Sequence, residues 1–182
     1  RAAFVSLIKE LRIAFEGEAE SSDNDKLLLT AAVPASFEAI AAGYDVPELS
    51  KYLDYINVMT YDFHGQWENR VGHNSPLFPL NSASEFQEKL TVDYSAKEWV
   101  RQGAPLEKLI VGMPVYGRTF QLADPAKFDI GAEALGGGEA ETTDKGGSAA
   151  GVAILVRKGR PIFANRNIAG SRTLGAVVSW TR

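Results

Sequence analysis

The chain contains no cysteine, only two histidines and two methionines, and no acidic residue after Asp144. The missing cysteine excludes disulfides and thiolate metal sites. With 19 basic against 23 acidic residues the formal net charge is -4, and no lysine/arginine block supplies the positive footprint that a nucleic acid or an anionic membrane requires. No apolar run reaches signal-peptide or membrane-spanning length. The glycines at 131–138 lack the lysine–serine pair of a phosphate loop, and no Asn-x-Ser/Thr acceptor occurs. His64 and His73 have no cysteine or motif carboxylate at ligand spacing, so both are assigned structural hydrogen-bonding roles rather than a metal site.

What is present is 182 residues of ordinary soluble composition, 45% hydrophobic, enough for a sizeable core. Charge is unevenly spread: residues 1–144 hold all 23 acidic and 12 basic residues, whereas 145–182 hold seven basic and no acidic ones. The glycine-rich stretch Gly131–Gly147 between them suits a connector. The boundary is therefore placed near Asp144, with 1–144 as one domain and 145–182 as an unmatched basic tail, foreign or disordered. A basic surface hairpin of the same domain is the alternative.

Phe4, Leu7, Ile8, Leu11, Ala14 and Phe15 recur at helical spacing and predict an amphipathic helix over 2–19. Leu27–Val33 is an uninterrupted apolar run ended by Pro34, the pattern of a strand buried on both faces in a parallel sheet. A short helix over 46–53 leads into a second such strand, Tyr55–Tyr61. A further helix is predicted from Glu85 to Gln102, closed by Gly103 and Pro105, and a third strand over Leu109–Tyr116. Alternating strands and helices with right-handed crossovers give an α/β fold, doubly wound or barrel. Three strands close neither, so a barrel reading makes the chain a fragment of one.

In α/β folds reactive groups gather where strands end. The second strand runs out into Met59-Thr60-Tyr61-Asp62-Phe63-His64-Gly65-Gln66-Trp67 and the third into Met113-Pro114-Val115-Tyr116-Gly117-Arg118. Aromatic faces beside a carboxylate and a guanidinium suit a carbohydrate, which presents both C–H faces and hydroxyls. Residue types alone are served more economically by packing tyrosines and an Asp62–Arg118 ion pair.

The runs KLLLTAAVPA (Lys26–Ala35), YLDYINVMTYDFHGQWENRVGHNSPLF (Tyr52–Phe78) and KLIVGMPVYGRTF (Lys108–Phe120) closely resemble family 18 glycoside hydrolases, the chitinases and chitinase-like lectins of animals. The resemblance covers about residues 2–140. It implies part of a (β/α)8 TIM barrel, about strands five to seven with their helices, followed by the start of an α+β insertion at Gln121–Gly138. It implies cleavage of β-1,4-linked N-acetylglucosamine polymers with retention, the nucleophile being the substrate's own N-acetyl oxygen.

Carried over, Tyr61 hydrogen-bonds the N-acetyl group and Asp62 binds sugar at the cleavage point. Met59 lines the floor, and Trp67, Tyr116 and Arg118 flank the groove, with Asn74 and its loop as groove wall. Tyr61 and Asp62 are adjacent, so they serve one rim only if the backbone bends; a kink over Thr60–Phe63 is predicted. No metal or other cofactor is implied. The partner is chitin or N-acetylglucosamine oligosaccharide, the protein a secreted, extracellular monomer.

The family's general acid ends an Asp-x-x-Asp-x-Asp-x-Glu motif on the strand before the helix that opens this chain, and no such motif occurs here. Glu16, Glu18 and Glu20 sit at a helix end and read as a solvated face. The expectation is a chitinase part that is inactive alone; the alternative is a chitin-binding lectin of the same fold. Gly175–Trp180 resembles the family's last strand with its tryptophan one residue out of place, which would turn it to the other face. Half a barrel exposes two strand edges, so marginal stability or association is expected.

Overall fold

The computed structural model describes residues 1–81 and 83–137. The boundary near Asp144, the basic tail and the strand reading at Gly175–Trp180 all lie outside them.

Helix α1 (Ala2–Ser22) begins where predicted and runs three residues further, ending at Asp23 in the left-handed region. It is followed by β1 (Thr30–Pro34), α2 (Phe37–Gly43), α3 (Val46–Tyr52) and β2 (Tyr55–Met59). Then come α4 (Glu85–Glu88), α5 (Val92–Arg101), a 3-10 turn at Leu106–Lys108, and β3 (Leu109–Val111). The strands form one parallel sheet in the order β1-β2-β3, with Thr30 opposite Tyr55 and Ile56 opposite Leu109. That is the α/β alternation read from the sequence.

Several boundaries differ: β1 starts at Thr30 rather than Leu27, β2 ends at Met59 rather than Tyr61, β3 ends at Val111 rather than Tyr116, and two helical segments depart from the expectation. Helix α2 was not anticipated, although Ser36 caps it by accepting from the Ala39 N–H. The helix expected over Glu85–Gln102 is two. A Ser84/Gln87 capping box opens α4, and Thr91 interrupts the run by capping α5 through the Tyr94 N–H. The next amides, Val92 and Asp93, donate to the loop carbonyls of Pro76 and Leu77 instead of continuing a helix. Helix α5 closes as expected at Gly103, whose N–H bonds to Val100 O while Ala104 N–H bonds to Trp99 O.

The strands are not buried on both faces. Along β1 burial alternates: Ala31 and Val33 are buried, Thr30 and Ala32 exposed, and Leu27 and Leu28 lie outside the strand, also exposed. Along β2, Ile56 and Val58 are buried while Tyr55 and Met59 are exposed. One sheet face packs against Ile8, Ile40, Leu49, Leu53 and Trp99. On the other face Thr30, Ala32, Tyr55 and Met59 are exposed and Asn57 is half-buried.

Aromatic edges tie the helices together: Phe4 against Tyr44, and Tyr44 against Trp99, with centroids 5.8 and 5.4 Å apart. The first part of the expected connector is not a linker. β4 (Gln121–Leu122) pairs antiparallel with β5 (Ala134–Gly136). The loop after β2 joins the same assembly, because Val71 N–H bonds to Ala132 O, Gly131 N–H to Val71 O and Ala134 N–H to Asn69 O.

At the sheet's N-terminal end, buried Arg12 donates from Nε and Nη2 to Tyr52 O at 2.9 and 2.8 Å, and to Asp54 Oδ2 at 2.5 Å. The same oxygen accepts from Leu29 N–H at 2.7 Å. Burial pushes the Asp54 carboxyl pKa up, but the Leu29 amide and the Arg12 guanidinium outweigh it and hold the value below the usual carboxylate range. A depressed folded value means that this contribution is fully present above the unfolded pKa of about 4 and is lost as pH falls through the folded one. Asp54→Asn should therefore lower stability at pH 7 by about 2 kcal/mol. That difference should shrink below about pH 4, and urea melts at pH 7 and pH 3 would read it.

Candidate sugar-binding site

The site is assembled where β2 and β3 end. Beyond Met59 the ladder stops, and Thr60 and Tyr61 N–H groups turn back onto Val58 O and Met59 O, both at 2.9 Å. The fully buried Thr60 anchors this turn by donating to Gly112 O at 2.6 Å and accepting at its own carbonyl from Ser75 Oγ at 2.6 Å. Asp62 then adopts φ 60, a left-handed conformation that an aspartate tolerates better than most residues. The bend expected between Thr60 and Phe63 is thus present, and it puts Tyr61 and Asp62 on one rim.

The Asp62 carboxylate is held by two side chains of the loop after β3, the expected Arg118 and also Tyr116. Its Oδ1 accepts from Tyr116 Oη at 2.6 Å and from Arg118 Nε at 3.1 Å, with Arg118 Nη2 also at 2.6 Å. Charge-assisted contacts this short fix direction as well as supply energy. The Arg118 guanidinium lies 5.1 Å from the Trp67 ring and 5.5 Å from the Tyr116 ring, a cation between two π faces. Tyr61 meets Tyr116 edge-on, with centroids 6.1 Å apart. The Asp62–Arg118 ion pair suggested by residue types is therefore real, and it sits within an exposed aromatic cluster rather than inside a core.

Two glycines permit this crowding. A Cβ at Gly112 would meet Val58 O at 2.7 Å and the Tyr61 ring at 3.0 Å, and one at Gly65 would sit inside the Trp67 indole at 2.4–2.9 Å. Only glycine lets both rings lie where they do. Asn74 joins the two loops: its side chain accepts from Asp62 N–H at 2.9 Å and donates to Tyr116 O at 3.1 Å.

Beside this cluster is a cavity of about 310 Å³ lined by Pro34, Ala35, Met59, Tyr61, Asp62 and Leu90. The structure thus brings together all seven residues singled out in the sequence: Met59, Tyr61, Asp62, Trp67, Asn74, Tyr116 and Arg118. What sequence reading missed is the β1 end. Pro34 and Ala35 are fixed there because Trp99 Nε1 donates to Pro34 O and Ser95 Oγ to Ala35 O, both at 2.9 Å. Pro34 and Ala35 lie inside the quoted KLLLTAAVPA run, which was the available signal, whereas contacts spanning sixty residues leave no trace in local spacing. His64 pairs with Glu68, Nδ1 to Oε2 at 2.8 Å, and Gly72 packs on its Cβ.

The Tyr116 phenol is pushed up to about 12, first by burial, then by its bond to the Asp62 carboxylate and by that charge. Asn74 and Arg118 draw it back only partly. The Arg118 pKa is raised chiefly by its hydrogen bond to Asp62. At neutral pH the cluster is therefore a neutral phenol donor and a permanent cation around one carboxylate. Such a group can orient hydroxyl and amide functions and oppose a developing positive charge.

The sequence matches the family model "Glycosyl hydrolases family 18" over residues 1–170. It is 45% identical to chitotriosidase-1 of Mus musculus over 145 residues, which is 79% of this chain and 31% of that protein. Among solved structures, an immunomodulatory active chitinase from Trichuris suis matches with TM-score 0.72 and 44% identity, over 73% of this chain and 36% of that one. Human YKL-39, described as a pseudo-chitinase with retained chitooligosaccharide binding properties, matches with TM-score 0.71 and 41% identity, over 74% and 37%. The chain spans 31% of the chitotriosidase and 36–37% of these two solved chains.

Asp62→Asn removes the negative charge opposing the phenolate, so Tyr116 should titrate closer to the ordinary value of 10.0. Carbon-13 NMR of the tyrosine Cζ near pH 11, with Tyr116→Phe for assignment, would read the change; an unmoved titration would mean that burial alone sets it.

Proposed function

The chain belongs to the glycosyl hydrolases family 18, whose fold is of the TIM-barrel type, and we propose that it supplies half of a chitinase's sugar groove. In this reading the sheet β1-β2-β3 corresponds to about strands five to seven of the barrel. Residues 1–144 form the barrel part and 145–182 a basic tail, although the match to the family model runs on to residue 170. The substrate is a β-1,4-linked N-acetylglucosamine polymer or its oligosaccharides.

The observation that carries the reading is the Asp62 carboxylate clamped by Tyr116 and Arg118, with the Trp67 ring beside Arg118 and Tyr61 edge-on to Tyr116. In substrate-assisted retaining hydrolysis the N-acetyl oxygen attacks the anomeric carbon and the resulting oxazolinium ion carries positive charge. A phenol at Tyr61 would orient the acetamido group, and the Asp62 carboxylate would stabilise the cation. Met59 would form the floor beneath the ring. Trp67, Tyr116 and Arg118 would contact the flanking sugars, and Asn74 with its loop would form the wall. The chemistry calls for no cofactor. Leaving-group departure still requires a general acid, and the Asp-x-x-Asp-x-Asp-x-Glu motif is absent from this sequence. The 182-residue chain is accordingly proposed to bind without turning over.

A second reading, a lectin of the same fold, is supported by the likeness to human YKL-39, a pseudo-chitinase with retained binding. A protein of this class is proposed to act outside the cell as a monomer. Among the described residues no helix is long and apolar enough to cross a membrane.

The purified chain should bind chito-tetraose with a change in tryptophan fluorescence, weakened about tenfold by Trp67→Ala, equivalent to about 1.4 kcal/mol. It should release no fluorophore from a labelled chitobioside, because loss of a general acid costs roughly 100-fold to 10,000-fold. Robust turnover would refute the proposed inactivity, and lack of binding would refute the sugar site itself.

A further inference from the structure

Asn74 is half-buried between the loops that follow β2 and β3, and its amide is engaged at both ends. Its Oδ1 accepts from Asp62 N–H at 2.9 Å, its Nδ2 donates to Tyr116 O at 3.1 Å, and its backbone carbonyl accepts from Phe63 N–H at 3.0 Å. Asp62 lies past the last ladder position of β2, where no strand partner remains for its amide. It also holds φ 60, a conformation that a non-glycine residue keeps only when its surroundings over-determine it. The Asn74 side chain therefore replaces the missing strand neighbour for Asp62 and at the same time ties down the backbone of Tyr116, the residue whose phenol grips the Asp62 carboxylate.

We infer that Asn74 is a positioning residue, which acts on the sugar through the backbone of Asp62 and Tyr116 rather than by touching it. A short stem carrying one acceptor and one donor is what the gap needs. Alanine supplies neither group, and aspartate supplies the acceptor alone. Should the left-handed turn relax, the Asp62 carboxylate would swing away from Tyr116 and Arg118, and the rim would lose its charge at the point of contact. The geometry stands by itself; the consequence for ligand rests on the sugar-binding reading above.

The test uses the chain with Asn74→Ala and Asn74→Asp, reading two quantities. One is hydrogen exchange at the Asp62 amide by NMR, and the other is affinity for chito-tetraose by calorimetry. Asn74→Ala should speed exchange at Asp62 at least about tenfold while the amides of β1–β3 keep their protection. Affinity should fall about tenfold, the scale of losing one well-made polar contact. Asn74→Asp should restore Asp62 protection and recover part of the affinity. An Asp62 amide equally protected in Asn74→Ala would overturn the inference. So would lost affinity with Asp62 unchanged, since Asn74 would then touch the sugar directly. If the unsubstituted chain fails to bind, the sugar reading falls and the exchange result alone decides. If Asn74→Ala does not fold, Asn74→Asp decides in its place: a protected Asp62 amide supports the inference, and an unprotected one overturns it.

Discussion

The left-handed turn at Asp62 is the constraint on which the site depends. A regular strand would send Tyr61 and Asp62 to opposite faces. The positive φ puts both on the rim and aims one carboxylate at Tyr116 and Arg118, more than fifty residues away in sequence. The strain is sustained by groups that are themselves fixed: a fully buried Thr60 bonded to Gly112, Ser75 bonded back to Thr60, and Asn74 spanning both loops. Each bond replaces a strand neighbour that the backbone lost when the ladder ended.

The same substitution of side chains for ladder partners recurs around the sheet. Trp99 and Ser95 of α5 satisfy the carbonyls of Pro34, the last residue of β1, and of Ala35 just past it, so the helix that buries the sheet's back also shapes the cavity in front. Lys108 donates to Ser50 O and Leu53 O, capping the C-terminal end of α3 from the start of β3. Arg12 and Asp54 do comparable work at the sheet's other end. Core helix and cavity wall thus share the hydrogen bonds of Trp99 and Ser95.

Much of this was legible in sequence. The helical stripe of Phe4, Ile8, Leu11 and Phe15, the three apolar strand cores and the Gly103 stop each depend on short-range periodicity or local backbone chemistry. The motifs after β2 and β3 carry the resemblance to family 18 glycoside hydrolases, and the seven candidate residues follow from that resemblance rather than from residue types or spacing alone. Apart from α2, which its Ser36 cap signals locally, the misread elements share one source. An apolar run cannot report whether one sheet face or two will be covered, so Leu27 and Leu28 looked like strand core and are exposed. The break at Thr91 and the pairing of Ala134–Gly136 were likewise decided by partners distant in sequence: the carbonyls of Pro76 and Leu77, and the strand at Gln121–Leu122.

The sequence by itself determined the α/β alternation and where α1, α3 and α4 begin, since these follow from the propensities and capping of neighbouring residues. Tertiary structure alone decided that Asp62 turns left-handed, that Arg118 lies between Trp67 and Tyr116, and that Asn74 braces rather than merely borders the groove. Those outcomes are set by hydrogen bonds and ring contacts between loops far apart along the chain. Their geometry exists only once the parallel register of β1, β2 and β3 has brought the strand ends together.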